Sequence, residues 1–201
     1  MGFQLDRPSG WTITAGQTWS LLTTNQQGIA TLAELRPGTE DGQYVVGFTW
    51  TRQGTFRVTK NFNNKVWTAF AVENPETTYS AALVPANIMG LNTSENAATG
   101  VNLLPFLPNC SNSTELAPDL LAKFAFEPGW GHFEIKALGR FFRDRIASTA
   151  TTNGHTNTTE SYGVGFGARM PFANKKLDLS LEGFLGQGIG RYGSSGLPDA
   201  I

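Results

Sequence analysis

The sequence contains ten charged side chains whose spacing makes them candidates for guiding ions or for forming ion pairs. Each lies on the polar face of a segment in which polar and apolar residues alternate, so residues two positions apart share a face. They are Arg57, Lys123, Lys136, Arg140, Arg169, Asp119, Glu127, Glu134, Asp178 and Glu182. Opposite charges around a water-filled space create a field that selects among ions. The same charges can instead pair across neighbouring strands and hold a sheet in shape. The sequence leaves both interpretations open.

Side chains suited to catalysis or metal binding are few. The chain has one cysteine, Cys110, and two histidines, His132 and His155. His132 shares a face with Glu134, but no serine or cysteine nucleophile lies at a matching spacing. One cysteine and two histidines cannot form the common Cys/His zinc sites without carboxylates. We therefore predict no catalytic residues, no metal, no cofactor and no enzyme activity.

The composition points to β-structure and away from nucleic acid. The 201 residues are enough for one domain, and 15 Lys and Arg against 16 Asp and Glu give a net charge of −1. Such a balance provides no broad electrostatic attraction for a phosphate backbone. Charged residues make up 15% of the chain, against about 25% in typical soluble domains. Abundant glycine and threonine suit strands joined by turns better than helices.

Alternating segments predict an all-β, antiparallel architecture of seven long strands in a single β-barrel segment spanning residues 1–201. For example, Leu120 and Phe124 share one face, and Asp119 and Lys123 share the other. The strands are predicted at about 11–19, 43–60, 66–73, 118–127, 132–142, 161–170 and 176–187. The segment 43–60 keeps one phase throughout, which places Arg52 on its apolar face near the middle. An arginine facing lipid there would cost about 2–4 kcal/mol, so the orientation of Arg52 is left open.

Three features favour a transmembrane β-barrel. The strands are about ten residues long, which matches the length needed to cross a bilayer at a tilt. The connections alternate between long outer loops and short periplasmic turns. Aromatic residues such as Trp11, Trp130 and Tyr162 lie near strand ends, where interfacial girdles occur. The alternative is a soluble or surface-exposed β-sandwich domain that binds carbohydrate or protein, in which the apolar faces form a core.

Several stretches of the sequence resemble Gram-negative outer-membrane porins, and among them the DcaP-like trimeric porins. The stretches are AGQTWSLL, GFTWTRQGTFRVTKNF, VENPET, KFAFEPGWGHFEIKALGRFFRDR and GIGRYGSSGLPDA. The resemblance implies a barrel of about 16 strands that assembles as a homotrimer in outer-membrane lipid. With seven predicted strands, this chain corresponds to an internal, incomplete part of such a barrel.

The resemblance also implies a function. We expect a segment of a bacterial outer-membrane porin, through which small hydrophilic solutes, anions among them, diffuse passively along a water-filled lumen. The ten charged residues are then pore-lining, and Arg57, Arg140 and Arg169 are the expected anion-guiding set. The expected partners are outer-membrane lipid, further copies of the full-length protein and the solutes, but no nucleic acid.

Overall fold

The fold is a single antiparallel sheet. The computed structural model describes residues 2–35, 47–75, 88–89, 116–146, 153 and 155–193. Eight strands follow one another in the order β1-β2-β3-β4-β6-β7-β8-β9, and the short β5 pairs with β7. The strands are β1 Gly2–Asp6, β2 Trp11–Trp19, β3 Arg52–Phe62, β4 Val66–Glu73, β5 Ile88–Met89, β6 Asp119–Phe126, β7 His132–Ile146, β8 His155–Phe172 and β9 Leu177–Gly186. Two 3-10 turns, Ala173–Lys175 and Gly190–Tyr192, complete the regular structure described. The predicted all-β, antiparallel class is confirmed.

The connections divide the sheet into two ends. Residues 7–10, 63–65, 127–131 and 173–176 form short turns at one end, here called the short-turn end. Residues 20–51, 74–118 and 147–154 connect strands at the opposite, long-loop end. This alternation matches the sequence pattern, and it leaves the chain crossing the sheet in a regular up-and-down order.

The predicted strand 43–60 is wrong over residues 47–51. Strand β3 begins at Arg52, and residues 47–51 belong to no strand, while residues 43–46 lie outside the described part. Gly47 has a φ of 83°, and the backbone N–H of Thr49 donates to Glu182 of β9 at 3.3 Å. The chain therefore runs across the inner side of the sheet before it enters β3, and the unbroken alternation of the sequence concealed this change of direction.

The start of β3 also resolves the orientation of Arg52. Arg52 pairs with Trp19 at the last position of the β2–β3 ladder, so it lies at the long-loop end rather than in mid-strand. Its guanidinium carbon lies 4.8 Å from the centre of the Trp19 ring, and its side chain is exposed. At a strand end, next to an aromatic ring, an arginine avoids the cost that it would carry at a bilayer midplane.

Other strand boundaries differ in instructive ways. Strands β2 and β4 have the predicted bounds, and β6 and β9 are each one residue shorter at both ends. Strands β7 and β8 are longer than predicted, because residues 140–146 pair with 155–161 beyond the ends of β6 and β9, and because Pro171 and Phe172 of β8 still pair with β9. The sequence analysis missed β1, a five-residue strand that pairs with β2, and the two-residue β5.

The two faces of the sheet differ in what they expose. The outward face carries exposed aromatic and aliphatic side chains, among them Phe56, Phe70, Phe124, Ile135, Val164, Phe166 and Leu185. The opposite, inner face carries the charged residues, and it is covered by residues 20–35, which follow β2 and are here called the inner segment. The sheet that the inner segment covers is here called the wall. Leu21, Leu22 and Ile29 of the inner segment form an apolar cluster with wall residues such as Trp67 and Leu121. The core of the described structure therefore lies on the polar side of the sheet.

Candidate functional site

The inner segment forms a hairpin-like fold against the inner face. The backbone N–H of Gln26 donates to Ala33 O at 2.7 Å, and that of Leu35 donates to Thr24 O at 2.7 Å. Its tip turns at Gly28, whose positive φ of 57° suits a residue without a Cβ. A Cβ at this position would lie 3.1 Å from the Trp67 ring, so the tip rests directly on the wall.

Carboxylates of the wall bind the backbone of the inner segment. Three of them each accept one backbone N–H of the inner segment: Glu73 accepts that of Leu21 at 2.8 Å, Glu134 that of Asn25 at 2.9 Å and Glu127 that of Gly28 at 2.5 Å. Because Glu73 is at the long-loop end and Glu127 follows β6 at the short-turn end, the inner segment runs along most of the strand length. Charge-assisted bonds of this kind are stronger than neutral ones.

Basic side chains of the wall contact the same region of the chain. The Lys123 ammonium donates to Thr23 O at 2.6 Å and to Asn25 Oδ1 at 2.9 Å. Lys136 donates to Thr24 Oγ1 at 2.6 Å, and Arg57 Nη2 donates to Trp19 O at 2.8 Å, just before the inner segment begins. Both acidic and basic side chains of the wall therefore bind this segment.

A buried charge cluster lies between strands β6, β7 and β9. Alternation along β7 places His132, Glu134 and Lys136 on the inner face, and the ladder sets Lys123 opposite Lys136. Two like charges in cross-strand positions destabilise a sheet. Here each ammonium has a carboxylate: Lys123 lies 3.1 Å from Glu134, and Lys136 lies 2.5 Å from Glu182. His132 joins the cluster through Nε2, 2.9 Å from Glu134.

A second buried cluster lies nearer the long-loop end. Arg140 Nε donates to Asp119 Oδ2 at 3.1 Å, and Arg140 Nη1 donates to Gly188 O at 2.6 Å. The Tyr192 hydroxyl donates to Asp119 Oδ2 at 2.8 Å. Burial raises the pKa of the Tyr192 phenol well above its usual range, so the group stays protonated and donates. The residues after β9 thus also fold onto the inner face.

The ten predicted residues share the inner side of the sheet but differ in access to water. Six of them are buried: Arg57, Asp119, Lys123, Glu134, Lys136 and Arg140. Glu127 and Glu182 are partly buried. The side chains of Arg169 and Asp178 keep 30% and 41% of their exposure and form an ion pair of 2.8 Å. Most of the ten residues therefore form ion pairs, which is one of the two interpretations that the sequence left open. A pore-lining role stays a prediction.

Sequence reasoning missed the residues that cover these charges. The predicted strand bounds leave residues 20–35 in a connection between two strands, and they place Tyr192 after the last strand. One signal was available: residues 20–33 contain no charged side chain but include Leu21, Leu22 and Ile29. A connection between strands with apolar residues and no charge is a candidate for burial.

A small polar cavity opens beside the tip of the inner segment. It has a volume of about 270 Å³ and lies at the short-turn end. Its lining includes Gln26, Glu127, His132, Arg169 and Asp178. The cavity connects the buried His132 with the surroundings of the short-turn end.

Metal ligation finds no support among the described residues, where His, Cys, Asp and Glu side chains nowhere gather in groups of three or more that could hold an ion. The absence of a metal and of a cofactor stays a prediction.

The described part of the chain has no helix of the length and hydropathy needed to span a membrane.

One face of the sheet therefore exposes apolar side chains, and the other carries charged side chains that are covered from inside. No family model and no curated protein matches the sequence. Among solved structures, the chain is similar to the crystal structure of the outer membrane channel DcaP of Acinetobacter baumannii, with a TM-score of 0.61 and 14% sequence identity. The match covers 92% of this chain and 40% of that chain, so this chain spans about two fifths of the channel's length. The similarity shows that the antiparallel sheet of this chain shares its fold with part of that channel, which is a β-barrel.

Proposed function

We propose that this chain forms part of the wall of a bacterial outer-membrane porin, through which small hydrophilic solutes diffuse passively. The observation that carries the proposal is the distribution of residues on the two faces of the sheet. Apolar side chains are exposed on the outward face, where they would contact lipid. Charged side chains occupy the inner face, where the inner segment would narrow the lumen.

The soluble β-sandwich is not favoured by the same distribution. A sandwich would bury the face that contains Leu177, Leu179 and Leu181 against a second sheet. These three side chains are 62%, 43% and 47% exposed, and the described strands all belong to one sheet. An apolar surface of this extent on a soluble protein would promote aggregation.

The geometry changes which residues we propose to meet the solute. Arg57 and Arg140 are buried, so they would act on ions only through their field. Arg169 keeps water access beside the tip of the inner segment, and it is the arginine best placed to guide an anion. Assembly as a homotrimer and a preference for anions are part of the proposal on the strength of the family resemblance. Passage would need no catalytic step.

Channel activity of the intact protein tests the proposal. The protein would be located by fractionation of cell envelopes, purified in detergent and added to planar lipid bilayers. The expected result is outer-membrane location and stepwise increases in current. A protein that stays soluble without detergent and produces no current steps would overturn the proposal in favour of the soluble domain.

A further inference from the structure

Two basic side chains lie on the outward face of β3, and each contacts an aromatic ring of β2. Lys60 pairs across the ladder with Trp11 near the short-turn end, and Arg52 pairs with Trp19 at the long-loop end. The Lys60 ammonium nitrogen lies 5.1 Å from the centre of the Trp11 ring and 5.6 Å from that of Phe62. The Arg52 guanidinium carbon lies 4.8 Å from the centre of the Trp19 ring. Both ends of β3 therefore present a cation that is stabilised by aromatic rings.

The distance between these two cations fits the thickness of an outer membrane. The outward residues between Arg52 and Lys60 are Gly54, Phe56 and Val58, none of which is polar. A rise of about 3.3 Å per residue separates the two Cα atoms by about 26 Å along the strand. At a strand tilt of about 40°, this is about 20 Å across a bilayer, and the apolar band of such barrels is about 25 Å tall. Long basic side chains can extend the few remaining ångströms to the headgroups.

The ammonium group of Lys60 keeps hydrogen bonds to offer. It has three N–H groups, and one of them donates to Ser9 O at 2.5 Å. Among the described residues, no carboxylate lies within 4.0 Å of this ammonium. The acidic residues of strands β1 to β6 are Asp6, Glu73 and Asp119, and all three belong to the inner face. An anion that approaches Lys60 from outside therefore meets no acidic side chain of these strands.

We propose that Lys60, Trp11 and Phe62 form a binding site for the headgroup of an anionic phospholipid. The ammonium donates to a phosphate oxygen of the lipid, and the two rings hold the ammonium at the border of the apolar face. The acyl chains lie along Phe56 and the other exposed apolar side chains of the outward face. A phospholipid suits this surface because a cation and an apolar band adjoin on one face. The site rests on the proposed location of the chain in the outer membrane.

Lipid binding to the intact protein in detergent tests the site. Phosphatidylglycerol and phosphatidylcholine of equal chain length would be titrated, and bound lipid would be counted by native mass spectrometry. The wild type should bind phosphatidylglycerol about fivefold more tightly, as expected for one basic side chain near an anionic lipid surface. Lys60→Gln should remove this preference.

The matched control is Lys65→Gln. Lys65 carries the same charge and is exposed in the short turn that follows β3, but it lies outside the strand and is not part of the proposed site. The preference for phosphatidylglycerol should persist in this variant. An equal loss in Lys60→Gln and Lys65→Gln would overturn the site, because it would reveal a general attraction of the short-turn end for anionic lipid.

Further measurements cover the case in which Lys60→Gln does not fold. Lys60→Arg keeps the charge and should keep the preference, whereas Trp11→Leu should weaken phosphatidylglycerol binding about twofold to fivefold, since a cation–π contact is lost. Equal binding of both lipids by the wild type, or release of phosphatidylglycerol by millimolar inorganic phosphate, would overturn the site. Insertion of the protein into vesicles of either lipid would leave the proposed function standing in that case. A protein that inserts into neither would instead overturn the proposed function.

Discussion

On the outward face of the sheet, phenylalanine, leucine and valine side chains are exposed, whereas on the inner face lysine, arginine and glutamate are buried. Neighbours along one strand show the contrast, because Glu134 is buried and Ile135 is 65% exposed. In a soluble domain these positions would be reversed. Specific contacts within the chain therefore stabilise the inner face, whereas the outward face has few such contacts.

The largest expected effect comes from removing a buried charge. Glu134→Ala leaves Lys123 without its carboxylate and the N–H of Asn25 without an acceptor. We expect the free energy of unfolding to fall by about 3–5 kcal/mol, measured by urea unfolding of the protein folded in lipid vesicles. Ile135→Ala on the outward face is the control, and an equal loss there would contradict the proposed difference between the faces.

A charge on the outward face should have the next largest effect. Phe166 lies among the exposed apolar side chains of the outward face, and it pairs with Ile135 of β7 and Gly183 of β9. Phe166→Arg should cost about 2–4 kcal/mol if this face contacts lipid, seen as reduced folding into vesicles. Leu177→Arg, on the same face but at the short-turn end of β9, should cost only about 1 kcal/mol or less. Normal insertion of Phe166→Arg would mean that lipid does not cover this face.

The tip of the inner segment permits a smaller, local perturbation. Gly28→Ala forces an alanine into a left-handed conformation and against Trp67, which should cost about 1–2 kcal/mol for the backbone alone and loosen the tip. Gly129 also has a positive φ, but nothing lies within 4 Å of its missing Cβ. Gly129→Ala therefore measures the backbone cost without the contact. If both variants alter single-channel current noise equally, the tip does not rest on the wall as described.

The exposed ion pair should affect stability least. Arg169→Gln removes the partner of Asp178 at a partly exposed site, and we expect a loss of about 1 kcal/mol or less. Its effect should appear in ion selectivity, as a reversal potential shifted towards cations. Arg143→Gln, which removes another exposed arginine, is the matched control. A selectivity that follows Arg143 and ignores Arg169 would exclude Arg169 as a contact for solutes.

The sequence predicted those parts of the fold that depend on local alternation. The bounds of β2 and β4, and the orientation of residues such as Leu120 and Lys123, follow from a period of two along the chain. The same period misled for residues 47–51, which alternate like a strand but are bound by contacts with β9. Local pattern carries no information on such distant partners.

The charged site was predictable only in part for a similar reason. That the ten charged residues share one side of the sheet follows from their spacing. Their burial depends on a segment about a hundred residues away in sequence, as the contact between Lys123 and Thr23 shows. Neither the spacing of the charges nor the composition of the loops encodes that contact by itself.

The inner segment is held mainly through its main chain. The wall charges bind the backbone N–H groups of Leu21, Asn25 and Gly28 and the carbonyl of Thr23. They also bind the side-chain oxygens of Thr24 and Asn25. Since every residue except proline offers both of these backbone groups, side chains of the segment that do not contact the wall are free to diverge in evolution while its path is preserved. If the proposed channel function holds, the bore can be changed, by selection or by an engineer, through a few substitutions that leave these contacts untouched.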